Sequence, residues 1–357
     1  MRRCQVSIDL GALRHNLQRV RQAAPGCRVM AAIKANGYGH GLVRVANALE
    51  ESDSFGVACI DEALELRAAG VTAPIILLEG FFHPDEIPLV EQHRLELLLH
   101  HPAQIAALEQ ATIHKPIRVW LKVDTGMHRL GVPPEETSSL WQRLERHPGL
   151  HPLGQMTHLA CADEPDHPAT AVQLELFRRA TASLPGERAI ANSAGILGWP
   201  ETHAEWVRPG IMLYGVSPFV GGRAAEHGLK PVMTLSSELI AVNRLSEGDT
   251  VGYGATWRCP EAMTIGVVAV GYGDGYPRHA VTGTPVLVNG RRVPLIGRVS
   301  MDMLCVDLRS QSDAQIGDPV VLWGDGLPVE EVAEASGTIA YELLCSVTER
   351  VALVERG

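Results

Sequence analysis

The sequence predicts an α/β chain: a (β/α)8 TIM-type barrel followed by a mostly-β C-terminal domain. Three observations carry that expectation. Short β-rich apolar runs alternate with stretches of helical period as far as about residue 215. About eight such runs fit within roughly 200 residues, which suits a closed barrel better than an open doubly wound sheet, although periodicity alone leaves the latter open. After Pro231 the texture changes to strands and turns with little helix. The boundary is therefore drawn at 1–230 and 231–357, with the first few residues open to joining the β domain.

Taken in order, a helix precedes any barrel strand, with Leu10, Leu13, Leu17 and Val20 on one face. Strand-like runs follow at 29–33, 55–59, 75–78, 95–99, 117–123, 153–158, 188–192 and 206–213. Between them lie helical patterns such as Leu42, Val45, Ala46 and Leu49, or Ala63, Leu64 and Leu66 with Gly70 as the C-terminal cap. The second domain reads as strands at 233–242, 250–257, 263–270, 285–288, 292–299, 303–308 and 319–323, with one helix at 329–335. Asn289-Gly290 between two apolar runs signals a type I′ hairpin.

Composition narrows the function. The 357 residues are 46% hydrophobic and 20% charged, with a net charge of −10, so the chain is expected to fold around a large core and not to bind nucleic acid as its main role. Seven cysteines, an odd number without a C-x-x-C pair, argue against a disulfide framework or structural zinc and make the reducing cytoplasm the simplest location. No apolar run follows Met1-Arg2-Arg3, and none approaches the roughly 18 residues of a membrane span. Among the fifteen histidines no H-E-x-x-H occurs, and Pro148 and Gly149 separate His147 from His151, so no metal site is expected.

A barrel places reactive groups at the C-terminal ends of its strands. There the first strand runs into Lys34, then Ala35-Asn36-Gly37-Tyr38-Gly39-His40-Gly41. A lysine at an apolar strand end can lose its proton through desolvation and form a Schiff base, while alternating glycines allow close backbone approach or positive φ. The residues alone leave Schiff-base enzyme and strand-end salt bridge equally open. The dinucleotide fingerprint G-x-G-x-x-G is not met.

The run Ile33-Lys34-Ala35-Asn36-Gly37-Tyr38-Gly39-His40-Gly41 closely resembles the pyridoxal-phosphate attachment motif of the alanine racemases. The resemblance continues through Lys122-Val123-Asp124-Thr125-Gly126-Met127-His128-Arg129-Leu130-Gly131, His158, Asn192-Ser193, Arg208-Pro209-Gly210-Ile211, Gly252-Tyr253-Gly254-Ala255, Gly271-Tyr272-Gly273-Asp274-Gly275-Tyr276 and Ser300-Met301-Asp302. It spans nearly the whole chain and implies a barrel plus a β domain, pyridoxal 5′-phosphate as cofactor, and a homodimer with shared active sites that interconverts L- and D-alanine.

The same resemblance implies the roles. Lys34 carries the cofactor and moves the Cα proton on one face; Tyr253 of the partner subunit acts on the other. A tyrosine of pKa about 10 is short of phenolate at pH 7 by roughly 4 kcal/mol, a cost that His158 and the positive potential of Arg208 would offset. Arg208 would face the pyridine nitrogen and, staying charged itself, keep that nitrogen unprotonated, which favours return of the proton to Cα over transamination. Tyr38, Asn192, Ser193, the backbone of Gly210 and Ile211, and Tyr341 would bind the cofactor, chiefly its phosphate. Arg129 and the backbone N–H of Met301 of the partner subunit would hold the substrate carboxylate. Tyr272 would narrow the pocket, and Asp302 would shape the same loop. Many members carbamylate the lysine matching Lys122; from the residues alone, an ion pair with Asp124 is the simpler reading. Ser300 stands where some members have cysteine, which is read as tuning.

A racemase of the same fold with broader substrates, such as serine or lysine, is the runner-up. A non-catalytic pyridoxal-phosphate carrier would lack the β domain, and barrel decarboxylases put an acid where Arg208 stands. Either reading therefore fits less well.

Overall fold

The computed structural model describes residues 3–357, which divide into two compact units. The first comprises Arg14–Leu213 with Pro218–Val220; the second comprises the residues up to Leu13 with Tyr214–Ser217 and Gly221–Gly357. Among the described residues no helix is long and apolar enough to cross a membrane, and no group of three or more His, Cys, Asp or Glu could hold a metal ion.

The chain opens with strand β1 (Gln5–Asp9). The first unit is a closed parallel barrel of β2 (Arg28–Ala32), β3 (Ser54–Val57), β4 (Ile75–Leu77), β5 (Glu96–Leu99), β6 (Ile117–Lys122), β7 (Leu150–Met156), β8 (Glu187–Ala189) and β9 (Trp206–Val207). The barrel expected from the sequence is the one found. The last run, however, stops at Val207 and turns into a 3-10 helix at Ile211–Tyr214, so the backbone from Arg208 to Gly210 is irregular. Met30, Ile76, Leu98, Trp120, Met156, Ala189 and Trp206 pack together, one from every barrel strand except β3. At β3 Gly56 leaves room for Leu78, whose Cδ1 would lie 2.9 Å from an added Cβ.

The end of the barrel where the strands begin is closed by paired charges. Trp120 donates from Nε1 to Glu96 (3.1 Å), which also pairs with Arg118 at 3.1 Å. Trp206 donates to Glu187 (2.6 Å), which pairs with Arg28, and the Arg28 guanidinium lies 4.4 Å over the Trp206 ring. Burial raises the Glu96 pKa while Arg118 opposes the shift.

The second unit is an eight-stranded sheet that contains β1. Its remaining strands are β10 (Met233–Leu245), β13 (Met263–Val268), β14 (Pro285–Val288), β15 (Arg291–Ile296), β16 (Leu304–Asp307), β17 (Pro319–Trp323) and β18 (Ala352–Arg356). The long β10 pairs antiparallel with β1, β13 and β17, while β1 pairs parallel with β18. Asn289 and Gly290 link β14 to β15 with φ of 50° and 72°, as a type I′ turn requires.

Two expectations need correction. The run at 250–257 is not one strand but a small hairpin, β11 (Thr250–Val251) and β12 (Trp257–Arg258), around a 3-10 turn at Tyr253–Ala255. Its glycines take φ of 76° and 75°, which breaks the extended backbone. A second helix, Ala340–Cys345, follows Val329–Ala335; at six residues it is too short to show a clear helical period.

Tight strand packing gives a test. A Cβ on Gly154 of β7 would lie 1.9 Å from the Glu187 carbonyl oxygen on β8, and backbone cannot step aside as a side chain can. Gly154→Ala should lower stability by about 3 kcal/mol in a denaturant melt. An unchanged midpoint would contradict this packing.

Candidate active site

Lys34 follows β2 and opens an unusual turn. Ala35, Asn36, Gly37 and Tyr38 all have φ between 52° and 61°, and Gly39 and Gly41 are also positive. A side-chain-bearing residue loses roughly 1–2 kcal/mol in this left-handed region, so the turn must be held from outside. Gly37 N–H donates to the Ile33 carbonyl (2.8 Å) and Gly41 N–H to that of Asn36 (2.9 Å). Asn36 Oδ1 accepts from Leu42 N–H (2.8 Å), and Glu62 accepts from both Asn36 N–H (3.2 Å) and Ala58 N–H (2.9 Å). His40 Nδ1 lies 2.8 Å from the Tyr38 carbonyl and 3.1 Å from that of Gly37, so this nitrogen carries the proton. Burial lowers the His40 pKa to about 4, leaving the ring neutral at pH 7.

The other barrel residues lie at the same ends of their strands. Lys122 is the last residue of β6, His158 follows β7 by two residues, Asn192 and Ser193 open the helix after β8, and Arg208 follows β9. Burial lowers the Lys122 pKa to about 8, and the charges of Arg208, Arg129 and Lys34 add to the effect. Burial and the charges of Arg208, Lys122, Arg129 and Lys34 hold His158 well below 6.5. These mutual effects place the five groups in one basic cluster.

The ion pair expected between Lys122 and Asp124 is not formed. Asp124 instead accepts from Gly126 N–H, His128 N–H and His128 Nδ1, each at 3.0 Å, and so closes its own turn. A short carboxylate beside a glycine finds these local donors before a lysine on the preceding strand.

Arg208 is buried, and burial alone lowers its pKa to about 10. Its Nη2 donates to the carbonyls of Thr157 and Ile190, but the buried Nη1 has no partner among the described residues. A buried cationic donor without an acceptor is costly. An unprotonated aromatic nitrogen would satisfy it.

Ser193 Oγ accepts from Gly210 N–H (2.9 Å) and Met212 N–H (3.3 Å). A Cβ on Gly210 would fall 2.6 Å from the Tyr38 hydroxyl. The Tyr38 and Ser193 hydroxyls and the Gly210 backbone therefore lie together, a cradle of polar groups. Asn192 caps the helix Ser193–Gly198, accepting from Gly195 N–H at 3.0 Å. Its side chain thus orders the cradle by shaping the helix start.

In the β unit Tyr253, Tyr272, Met301, Asp302 and Tyr341 lie outside the sheet on turns and a short helix. Tyr253 is 68% exposed, Met301 52%, and Tyr272 and Tyr341 each 38%.

The sequence reading missed the residues that hold this machinery in place. Gln173 donates from Nε2 to the His158 carbonyl (3.0 Å) and Thr125 Oγ1 (3.2 Å), while its Oε1 accepts from Ala160 N–H (2.8 Å). Glu62 does the same for the Lys34 turn. Both sit within ordinary helical pattern, and only their partners, with burial for Gln173, mark them.

Known families and structures match this arrangement. The family model "Alanine racemase, N-terminal domain" matches residues 8–218, and "Alanine racemase, C-terminal domain" matches 232–355. An alanine racemase of Shewanella baltica is 55% identical over 350 residues, 98% of each chain. The crystal structure of biosynthetic alanine racemase from Pseudomonas aeruginosa superposes with a TM-score of 0.98 at 48% identity, covering all of both chains. An alanine racemase from Bartonella henselae with covalently bound pyridoxal phosphate gives a TM-score of 0.90 at 31% identity over 99% of each chain.

The basic cluster predicts a pH effect. The folded pKa of Lys122, about 8, lies below its ordinary 10.5, so between these values the unfolded chain binds the proton more readily. Stability of the ligand-free chain should therefore rise with pH across that window and be lowest below about 8. Lys122→Met should flatten this slope and stabilise the ligand-free chain at pH 7 by up to about 3 kcal/mol in chemical denaturation. A variant less stable than the parent at pH 7 would refute the assignment.

Proposed function

The chain belongs to the alanine racemase family of isomerases, and from that premise we propose that it interconverts L- and D-alanine with pyridoxal 5′-phosphate at the barrel site. The observation that carries this reading is the buried, unpartnered Nη1 of Arg208 beside Lys34, His158 and the Tyr38–Ser193–Gly210 cradle. Those residues fit the cofactor: cradle for phosphate, lysine for the aldehyde, arginine for the ring nitrogen. When bound, the cofactor withdraws electrons from the substrate and acidifies its Cα–H.

The chain's own groups then supply proton transfer and binding. Lys34 would hold the cofactor through its amine, and that amine would take or return the substrate's Cα proton on one face. Tyr253 of the partner subunit serves the opposite face in a homodimer whose subunits share sites. His158, neutral at working pH because its pKa is held low, can accept the phenol's hydrogen bond, and Arg208 adds the positive potential that favours phenolate. Arg208 itself stays charged at pH 7 and does not protonate the ring nitrogen.

Arg129 and the backbone N–H of Met301 of the partner subunit receive the carboxylate, while Tyr253, Tyr272, Tyr341 and Met301 narrow the entrance and favour a methyl side chain. Lys122 becomes a carbamate: its neutral amine adds to carbon dioxide and releases one proton, leaving an anion among Arg129, Arg208 and Lys34. The lowered pKa of Lys122 supports this, since it supplies the neutral amine near physiological pH. The product serves cytoplasmic supply of D-alanine for peptidoglycan or alanine catabolism.

Incubation with L-alanine in heavy water tests the reading: D-alanine should form with deuterium at Cα. Pyruvate or ethylamine as main product would overturn it, and serine and lysine assayed alongside measure substrate breadth. Tyr253→Phe should lower kcat/KM from L-alanine by about 100-fold or more with the cofactor's visible absorbance retained. Lys34→Ala should lose that absorbance. Mixing the two inactive variants should restore activity if each site draws on both subunits; a Tyr253→Phe variant of parental rate removes the two-base assignment.

A further inference from the structure

The Gly271-Tyr272-Gly273-Asp274-Gly275 segment contains a carboxylate with no place in the proton-transfer scheme. Asp274 is fully buried. Its Oδ2 accepts from Gly271 N–H and its Oδ1 from Arg350 Nε, both at 2.9 Å. Arg350 reaches on through Nη2 to Asp302, so one guanidinium joins two carboxylates.

The backbones around this pair are stitched together. Tyr272 N–H donates to the Ser300 carbonyl (3.0 Å) and Gly273 N–H to that of Met301 (2.9 Å). Thr348 N–H donates to the Asp274 carbonyl (3.2 Å), Thr348 Oγ1 to that of Gly273 (2.9 Å) and Ser346 Oγ to that of Gly275 (2.8 Å). The glycine spacing follows from these approaches: a Cβ on Gly271 would lie 2.2 Å from the Ser300 carbonyl oxygen, and one on Gly275 would lie 2.3 Å from that of Ser346. Three segments thus meet at Asp274 and Arg350. They carry Tyr272, the Met301–Asp302 pair and, just before Ser346, the helix bearing Tyr341.

We propose that Asp274 and Arg350 are positioning residues for the substrate, fixing the 271–275 and 300–302 loops so that the Met301 N–H and Tyr272 are preset for a small amino acid's carboxylate and side chain. The proposal rests on the racemase reading of the same site. Asp274 must accept at both oxygens, which a carboxamide cannot do, because its nitrogen would face an N–H donor. Arg350 must bridge two carboxylates in a fixed fork, which a lysine does only in part.

The test compares holoenzymes of Asp274→Asn, Arg350→Lys and Arg350→Gln by initial rates with L-alanine, bound-cofactor absorbance and melting temperature. The KM for alanine should rise about tenfold in Asp274→Asn and Arg350→Gln and less in Arg350→Lys, with kcat within about twofold and the absorbance unchanged, as expected when binding geometry alone is loosened. If Asp274→Asn does not fold, the Arg350 pair decides. An unchanged KM, or a fall in kcat, absorbance and melting temperature together, overturns the proposal in favour of a purely structural pair. No racemisation by the parent chain would remove the racemase reading and this inference with it, whereas an active parent with unchanged KM in the variants removes this inference alone.

Discussion

The organising constraint of the barrel unit is a group of basic side chains held out of water at one end of the strands. Arg208 and Lys122 are buried there, and His158, Arg129 and Lys34 lie close enough to act on them. Like charges in such a place repel, and desolvation adds to the cost of each. The protein answers in two ways: Lys122 and His158 give up proton affinity, and Arg208 keeps its charge while leaving Nη1 without an acceptor among the described residues. Neither answer neutralises the cluster. Its remaining positive potential is an affinity for anions.

That electrostatic arrangement works only if its members are held in register, and the holding is done by neutral or locally satisfied groups. Four successive residues after Lys34 sit in left-handed conformation, and Glu62, Asn36 and neutral His40 saturate the backbone donors and acceptors that this conformation exposes. On the far side Gln173 uses both ends of its carboxamide to tie His158 and Ala160 to the 125 turn. Asp124, the carboxylate that follows Lys122 by two residues, is engaged with its own turn. Positioning and charge are thus assigned to different residues, so the cluster keeps its potential without losing its geometry.

This division explains what the sequence disclosed and what it hid. The barrel was legible because apolar strands and helical stretches alternate locally, and Lys34 stood out because it follows a strand end, whereas His158 and Arg208 were marked only by the family resemblance. Gly37, Gly39 and Gly41 pointed to positive φ, but Ala35, Asn36 and Tyr38 join them only because Glu62 and His40 make that backbone affordable. Glu62 and Gln173 carry no local signal in the sequence; their importance lies in contacts 26 and 15 residues distant. The 250–257 run misled because two glycines interrupt a β-rich composition. β1 escaped notice as a strand because it is short, and its partners lie more than 200 residues downstream.

The two ends of the barrel show how little net charge says about a site. Where the strands begin, Glu96 and Glu187 each meet an arginine and a tryptophan N–H, so burial is matched by complementary charge and hydrogen bonds. Where they end, Lys122 and Arg208 pair with no carboxylate among the described residues, although the chain as a whole carries a charge of −10. A fold with ten more acidic than basic side chains could have placed carboxylates there, and doing so would have relieved Lys122 and satisfied Arg208. Enough of them to neutralise the cluster would also have removed its affinity for a phosphate and a carboxylate. The imbalance at the strand ends is therefore best understood as stability given up locally for anion binding, and the paired end shows that the same barrel can bury charge without such imbalance.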